Sequence, residues 1–150
     1  MSKPKAIIVD LDSTLCDASP RMHHLEGEKK NWPAFNAAHV DDTPNEWCVG
    51  LILAMKASNY KIVFVTGRSL DYYDSTCGWI DYHVMKGFPF ELYMRPEKDF
   101  KPATEVKRIL YQTHIAERLE VVFCVEDSAQ IVAMWRDLGL VCLDCAGGEY

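Results

Sequence analysis

Residues 62–65, Ile-Val-Phe-Val, are apolar without a polar break, and segments of helix length flank them on both sides. A strand that is apolar on both faces fits a parallel sheet covered by helices above and below, and few other settings. The same unit recurs along the chain. Strands are predicted at 5–10, 60–65, 90–94, 121–125 and 140–143, and helices at 43–58, 70–85, 102–118 and 128–139. Thr43-Pro44-Asn45-Glu46 reads as a capping box, with Thr43 at the N-cap and Glu46 three residues on. Trp47, Leu51, Ile52 and Met55 then share one helix face, and Gly87 stops the second helix. Between the first strand and first long helix runs a connection, 11–42, with one short helical stretch at 33–39. With 150 residues and no repeats or linker, residues 1–150 are expected to form one α/β domain around a mostly parallel sheet.

The polar residues with chemistry to offer cluster where these strands end. Asp10-Leu11-Asp12-Ser13-Thr14 follows the first strand, Thr66-Gly67-Arg68 the second, and Glu126-Asp127 the fourth; lysines at 101 and 107 flank the start of a helix. An isolated Asp after a strand usually caps a helix. Several such exits together mark a ligand site, because open parallel sheets bind beyond the carboxyl ends of their strands. Two carboxylates delivered there suit Mg²⁺, or formation of a phosphoryl-aspartate. The net charge of −6 argues against a general nucleic-acid coat but leaves room for contact with one phosphorylated end. Between Arg95 and Arg108 basic and acidic residues interleave, so charge does not choose the substrate. Six scattered cysteines and the absence of a visible signal peptide or long apolar run predict reduced thiols, a cytoplasmic setting and no membrane contact. Cys142-Leu143-Asp144-Cys145 has zinc-knuckle spacing but no second pair nearby, so no metal is assigned to it.

In that order, these motifs resemble those of the haloacid-dehalogenase superfamily of phosphotransferases. Within it, the chain is similar to the 3′-phosphatase domains of phage-type polynucleotide kinase-phosphatases, most closely in Lys3-Pro4-Lys5-Ala6-Ile7, Glu105-Val106-Lys107, and from Gln130 through Arg136 to Gly139. The resemblance implies a Rossmann-like three-layer sandwich with a five-stranded sheet, and a flap in place of a full cap domain. It implies Mg²⁺ held by Asp10, the Asp12 main-chain carbonyl and Asp127. Asp10 would be the nucleophile and Asp12 the general acid–base, with Thr66 and a lysine as donors to the transition state. Alignment on Glu105-Val106-Lys107 selects Lys107, with Lys101 the alternative. Arg21, Gly67 and Arg68 would contact the substrate phosphate.

Three positions depart from the family pattern: Ser13 replaces a turn glycine, Ala103 an acidic residue, and Glu126 the first Asp of an acidic pair; Asp99 substitutes for the acid missing at Ala103 only if its loop folds back. The 11–42 connection is expected to be a mobile flap over an open site, bearing solvent-facing His23 and His24 and carrying Trp32 and Phe35, which either stack on a base or pack on the body. An open site favours a phosphorylated DNA or RNA end, with a ligase or kinase acting in the same pathway. A nucleotidase is the alternative. A receiver-type signalling module fits less well, since Thr66 stands in the kind of position where that module needs its acceptor Asp. No Gly-x-x-x-x-Gly-Lys-Ser/Thr loop exists, so this chain carries no kinase site of that type.

Overall fold

The computed structural model describes residues 2–146. Strand β1 (Lys5–Val9) leads into a tight turn and a two-residue strand β2 (Cys16–Asp17). The flap follows, made of a 3₁₀ segment (Ser19–Leu25), helix α1 (Trp32–Ala37) and a second 3₁₀ segment (Ala38–Asp41). It closes through β3 (Thr43–Pro44), which pairs antiparallel with β2. Helix α2 (Glu46–Ala57), strand β4 (Lys61–Ser69), helix α3 (Tyr73–Ile80) and strand β5 (Glu91–Arg95) come next. Helix α4 (Ala103–His114), strand β6 (Glu120–Glu126), helix α5 (Ala129–Asp137) and strand β7 (Cys142–Asp144) complete the described chain.

The main sheet has five strands in the order β5-β4-β1-β6-β7, and every neighbouring pair is parallel. Side chains alternate across it with the period of two that pleating imposes. Ile7, Val9, Ile62 and Phe64 pack with Cys48 and Ile52 of α2 and Trp79 and Ile80 of α3. Ala6, Ile8, Val63 and Val65 pack on the other face with Val106 and Leu110 of α4 and Ile131, Val132 and Trp135 of α5. Two cores on the two faces of one sheet are what the unbroken apolar runs called for. Because β1 lies in the centre and β4 and β6 flank it, the exits of all three meet at one edge. No helix of the described residues is long and apolar enough to cross a membrane.

Two local expectations need correcting. The N-cap of α2 is Asn45, with Thr43 and Pro44 outside the helix. The capping-box pattern was present, but pairing of Thr43 with Asp17 and Pro44 with Cys16 takes those residues for the base of the flap. Asn45 Nδ2 donates instead to the Thr14 carbonyl at 2.8 Å, fastening α2 to the turn after β1. The helix predicted over 70–85 is compound: a 3₁₀ turn leads into α3, a π-helical turn follows at Asp81–Met85, and Lys86 and Gly87 both take left-handed backbone to end it.

Candidate active site

The turn after β1 is compact. The amides of Thr14 and Cys16 both donate to the Leu11 carbonyl, that of Ser13 to the Cys16 carbonyl, and the Asp10 amide to the Val125 carbonyl of β6. Ser13 sits at φ 65°, the left-handed conformation that a glycine would adopt without cost. The backbone thereby turns back on itself, and the carboxylates of Asp10 and Asp12 leave the strand in different directions.

Asp10 points into an acidic cluster. Its carboxylate, Glu126 and Asp127 lie within 4.8 Å of one another. The Lys107 Nζ donates to Asp10 Oδ1 and Glu126 Oε2, each at 2.8 Å, from a side chain that is 2 % exposed. Thr14 Oγ1 donates to the other Asp10 oxygen at 2.9 Å and lies 3.4 Å from Asp127. Burial alone would lower the Lys107 pKa; the charges of Asp10 and Glu126 outweigh burial and raise it, so the ammonium is held protonated. The same crowding acts oppositely on the acids. Burial, then the Asp10 charge, pushes Asp127 up to about 7 and Glu126 well above the usual carboxylate range. Lys101 lies elsewhere. It is half-exposed and paired with Asp99 at 3.1 Å, and Asp99 is spent on that lysine and its amide.

Asp12 meets two arginines. Arg21 Nη2 and Arg68 Nη2 each donate to Asp12 Oδ1 at 2.5 Å. Burial would raise the Asp12 pKa, but Arg68 and Arg21 together hold it below its ordinary value. Both guanidiniums are themselves fixed from behind. Arg21 donates through Nε to Asp42 at 2.9 Å, through Nη2 to the same carboxylate at 2.6 Å, and through Nη1 to the Phe35 carbonyl, and it stacks over the Phe35 ring at 4.3 Å. Arg68 Nη1 donates to Thr76 at 2.9 Å, while its Nε is buried without a partner among the described residues. Thr66 is buried, and its hydroxyl accepts the Arg68 amide at 3.1 Å. The Gly67 carbonyl accepts from Arg95 Nε at 2.7 Å, and a methyl group on Gly67 would meet Arg95 and Ala103 at ordinary contact distance.

The structure thus brings Asp10, Lys107, Asp127 and Glu126 into one cluster and Asp12, Arg21 and Arg68 into an adjoining one. Two participants had no role in the sequence reading. Thr14 belongs to the Asp-rich turn, where a hydroxyl four residues after Asp10 could have been flagged. Asp42 carries no local signal, since Asp41 beside it is its equal in sequence. Among the flap aromatics, Phe35 is buried, whereas Trp32 is half-exposed with its ring edge-on to Phe35 at 5.7 Å. His23 is exposed and its ring lies 3.1 Å from the Pro20 carbonyl. Cys145 Sγ lies 3.8 Å from Thr14 Oγ1, and all six cysteines are free thiols.

Comparison with known proteins agrees with this geometry. Residues 4–150 match the family model of the polynucleotide kinase PNKP phosphatase domain. A bifunctional polynucleotide kinase/RNA ligase, so described, of Autographa californica nuclear polyhedrosis virus is 29 % identical over 136 residues, 90 % of this chain and 18 % of that protein. Among solved structures, a chain of a Pnkp1/Rnl/Hen1 complex superposes with a TM-score of 0.78 at 28 % identity, covering 95 % of this chain and 46 % of that one. The class C acid phosphatase of Bacillus anthracis shares the fold, with a TM-score of 0.66 at 17 % identity over 87 % of this chain and 54 % of that one. The chain therefore spans less than a fifth of the curated relative and about half of each of these solved chains. By its fold, its four motifs in order and a family match over nearly its whole length, the chain is a haloacid-dehalogenase-type phosphatase that belongs to the PNKP phosphatase-domain family.

Proposed function

We propose that residues 1–150 form one phosphatase domain that removes the 3′-phosphate from DNA or RNA ends, with Asp10 as the nucleophile. The observation that carries this reading is the pairing of Asp10 with Lys107 inside the acidic cluster. The buried ammonium at 2.8 Å sets a positive charge beside Asp10 and fixes one of its oxygens, while Thr14 fixes the other. An oriented, desolvated carboxylate is suited to attack phosphorus. The attack breaks the bond from phosphorus to the 3′-oxygen and leaves the phosphoryl group on Asp10. Water then attacks that group, releasing inorganic phosphate and regenerating the carboxylate.

Asp12 serves both halves. As the arginine-bound carboxylate seen here it is in the state that takes a proton from water. To protonate the leaving 3′-oxygen it must first gain a proton, which an incoming phosphate dianion favours by adding negative charge beside it. Arg21 and Arg68 hold Asp12 in place and supply positive charge to the phosphate. Thr66 and Lys107 donate to the equatorial oxygens, where charge accumulates in a loose transition state.

The donor set of Asp10, Glu126 and Asp127 consists of oxygens only and is crowded enough to raise the pKa values of two members. Those properties fit a hard divalent cation such as Mg²⁺. Asp10 and Asp127 would hold it, with the Asp12 main-chain carbonyl, and it would offset the repulsion between the carboxylate and a phosphate dianion.

The similarity to a polynucleotide kinase/RNA ligase and to a chain of an RNA repair complex supports nucleic-acid end repair as the setting, with a ligase or kinase acting in the same pathway. The test is phosphate release with Mg²⁺ from a 3′-phosphorylated oligonucleotide, set against 3′- and 5′-mononucleotides. A clear kcat/KM advantage for the oligonucleotide is expected. Equal or better turnover of mononucleotides would make the enzyme a nucleotidase.

A further inference from the structure

Phe100 is 92 % exposed, more than any other large apolar side chain of the described residues. It stands on the 96–101 loop that leaves β5 at the same sheet edge as Asp10, Thr66 and Glu126. An aromatic ring left in water forgoes the burial that would make it contribute to the fold. The loop beneath it is nevertheless held firmly. Arg95 donates to the Gly67 carbonyl at 2.7 Å, the Asp99 carbonyl at 3.1 Å and the Lys101 carbonyl at 2.5 Å. One guanidinium thereby ties the loop to the residue between Thr66 and Arg68. Lys98 adopts φ 57°, a left-handed conformation unfavourable for a residue with a Cβ, and it lets the loop curl around Arg95. The loop lines an open depression of about 590 Å³, large enough to admit a nucleotide.

We propose that Phe100, with Lys98, is a stacking platform for an unpaired base close to the phosphorylated end of a single strand. The proposal rests on the polynucleotide reading above and gives that reading a physical basis for preferring a strand to a mononucleotide. Single strands are gripped by exposed aromatic faces next to cations that track the backbone, without regard to sequence. Lys101 is taken by Asp99, whereas Lys98 has no ion-pair partner among the described residues and stands two positions from Phe100. Glu97 shares the loop, but residues 95–101 carry three cationic side chains against two anionic ones, a local excess of positive charge in a chain of net charge −6.

The distance also fits. β5 and β1 are separated by β4, so their exits lie about 10 Å apart at ordinary strand spacing. About three nucleotides bridge that gap at the stacked rise, and fewer do so if the strand is extended. The flap's Trp32 is the less suitable platform, because half its surface is already covered and its ring packs edge-on to Phe35.

Phe100→Ala and Phe100→Trp test the platform on a 3′-phosphorylated single-stranded oligonucleotide and on thymidine 3′-phosphate. The ratio of the two kcat/KM values is expected to fall about tenfold in Phe100→Ala, through KM for the oligonucleotide, and to recover in Phe100→Trp. An unchanged ratio would overturn the proposal and leave Phe100 to a protein partner. A wild-type enzyme that does not favour the oligonucleotide would count against the polynucleotide reading. Fluorescence anisotropy with a labelled 3′-hydroxyl oligonucleotide then decides the platform by itself. Binding about tenfold weaker in Phe100→Ala upholds it, and equal binding refutes it.

Discussion

Removing the Lys107 ammonium would leave Asp10 and Glu126 facing each other inside the protein with no cation between them. Breaking a buried ion pair by deleting one partner typically costs about 3–5 kcal/mol. Lys107→Ala is therefore expected to lose stability on that scale in urea unfolding, and to lose phosphatase activity by a factor on the order of 10² or more. Lys101→Ala, at a half-exposed side chain paired only with its loop neighbour, should stay within about 0.5 kcal/mol of wild type. The reverse ranking would place the functional lysine outside the buried cluster. Asp10→Asn separates chemistry from architecture. The amide still fills the space and accepts from Lys107, so the variant should fold normally while turnover falls by a factor on the order of 10³ or more. Residual phosphate release near the wild-type rate from the purified variant would sink the aspartyl-phosphate mechanism.

At the scale of elements, the flap is fastened by polar clasps. The β2–β3 pair closes its base, Tyr72 Oη reaches the Pro33 carbonyl at 3.2 Å, Trp79 Nε1 donates to the Asp42 carbonyl at 3.0 Å, and the His39 ring meets Ser75 Oγ at 2.8 Å. His39 is buried; burial, then Arg68 and Arg21, lower its pKa to about 4 from an ordinary 6.5. A base depressed in the folded state gives its full stabilisation above about pH 6.5 and loses it as pH falls towards 4, because the unfolded chain takes the proton first. Wild type should accordingly lose stability between pH 7.5 and 5 by up to about 2 kcal/mol more than His39→Gln in matched urea titrations. Parallel curves for the two proteins would show that His39 does not carry this acid sensitivity.

The flap is also where sequence reading reached its limit. Apolar runs announce β1, β4 and β6 because burial on both faces admits no polar break, and the acids at their ends follow from that. Nothing local distinguishes Asp42 from Asp41, and only the folded flap brings Arg21 across to it. The pattern at Thr43-Pro44-Asn45-Glu46 was a sound capping box that tertiary pairing overrode. The two lysines near the start of α4 look alike until the helix turns one inward.

Viewed as a whole, the molecule concentrates unfavourable charge at one edge of an otherwise conventional sheet. Three carboxylates from two adjacent strand exits are crowded together, and one lysine compensates only part of their charge. Without a cation, the raised Asp127 carboxyl favours the folded state below its ordinary value of 3.8, and that advantage is lost as pH climbs to about 7. A divalent cation should reverse the trend, since it binds the ionised cluster and must displace the proton from Asp127. Mg²⁺ at about a hundredfold excess over its dissociation constant would add about 2.7 kcal/mol, a rise of roughly 5–10 °C in the unfolding temperature. At a fixed, sub-saturating Mg²⁺ concentration the rise should be larger at pH 8 than at pH 6, and it should shrink in Asp127→Asn at either pH. Differential scanning calorimetry of both proteins, with and without Mg²⁺, reads this directly and needs no substrate. A shift absent at both pH values, or undiminished in the variant, would mean that the acidic cluster is not where a cation binds.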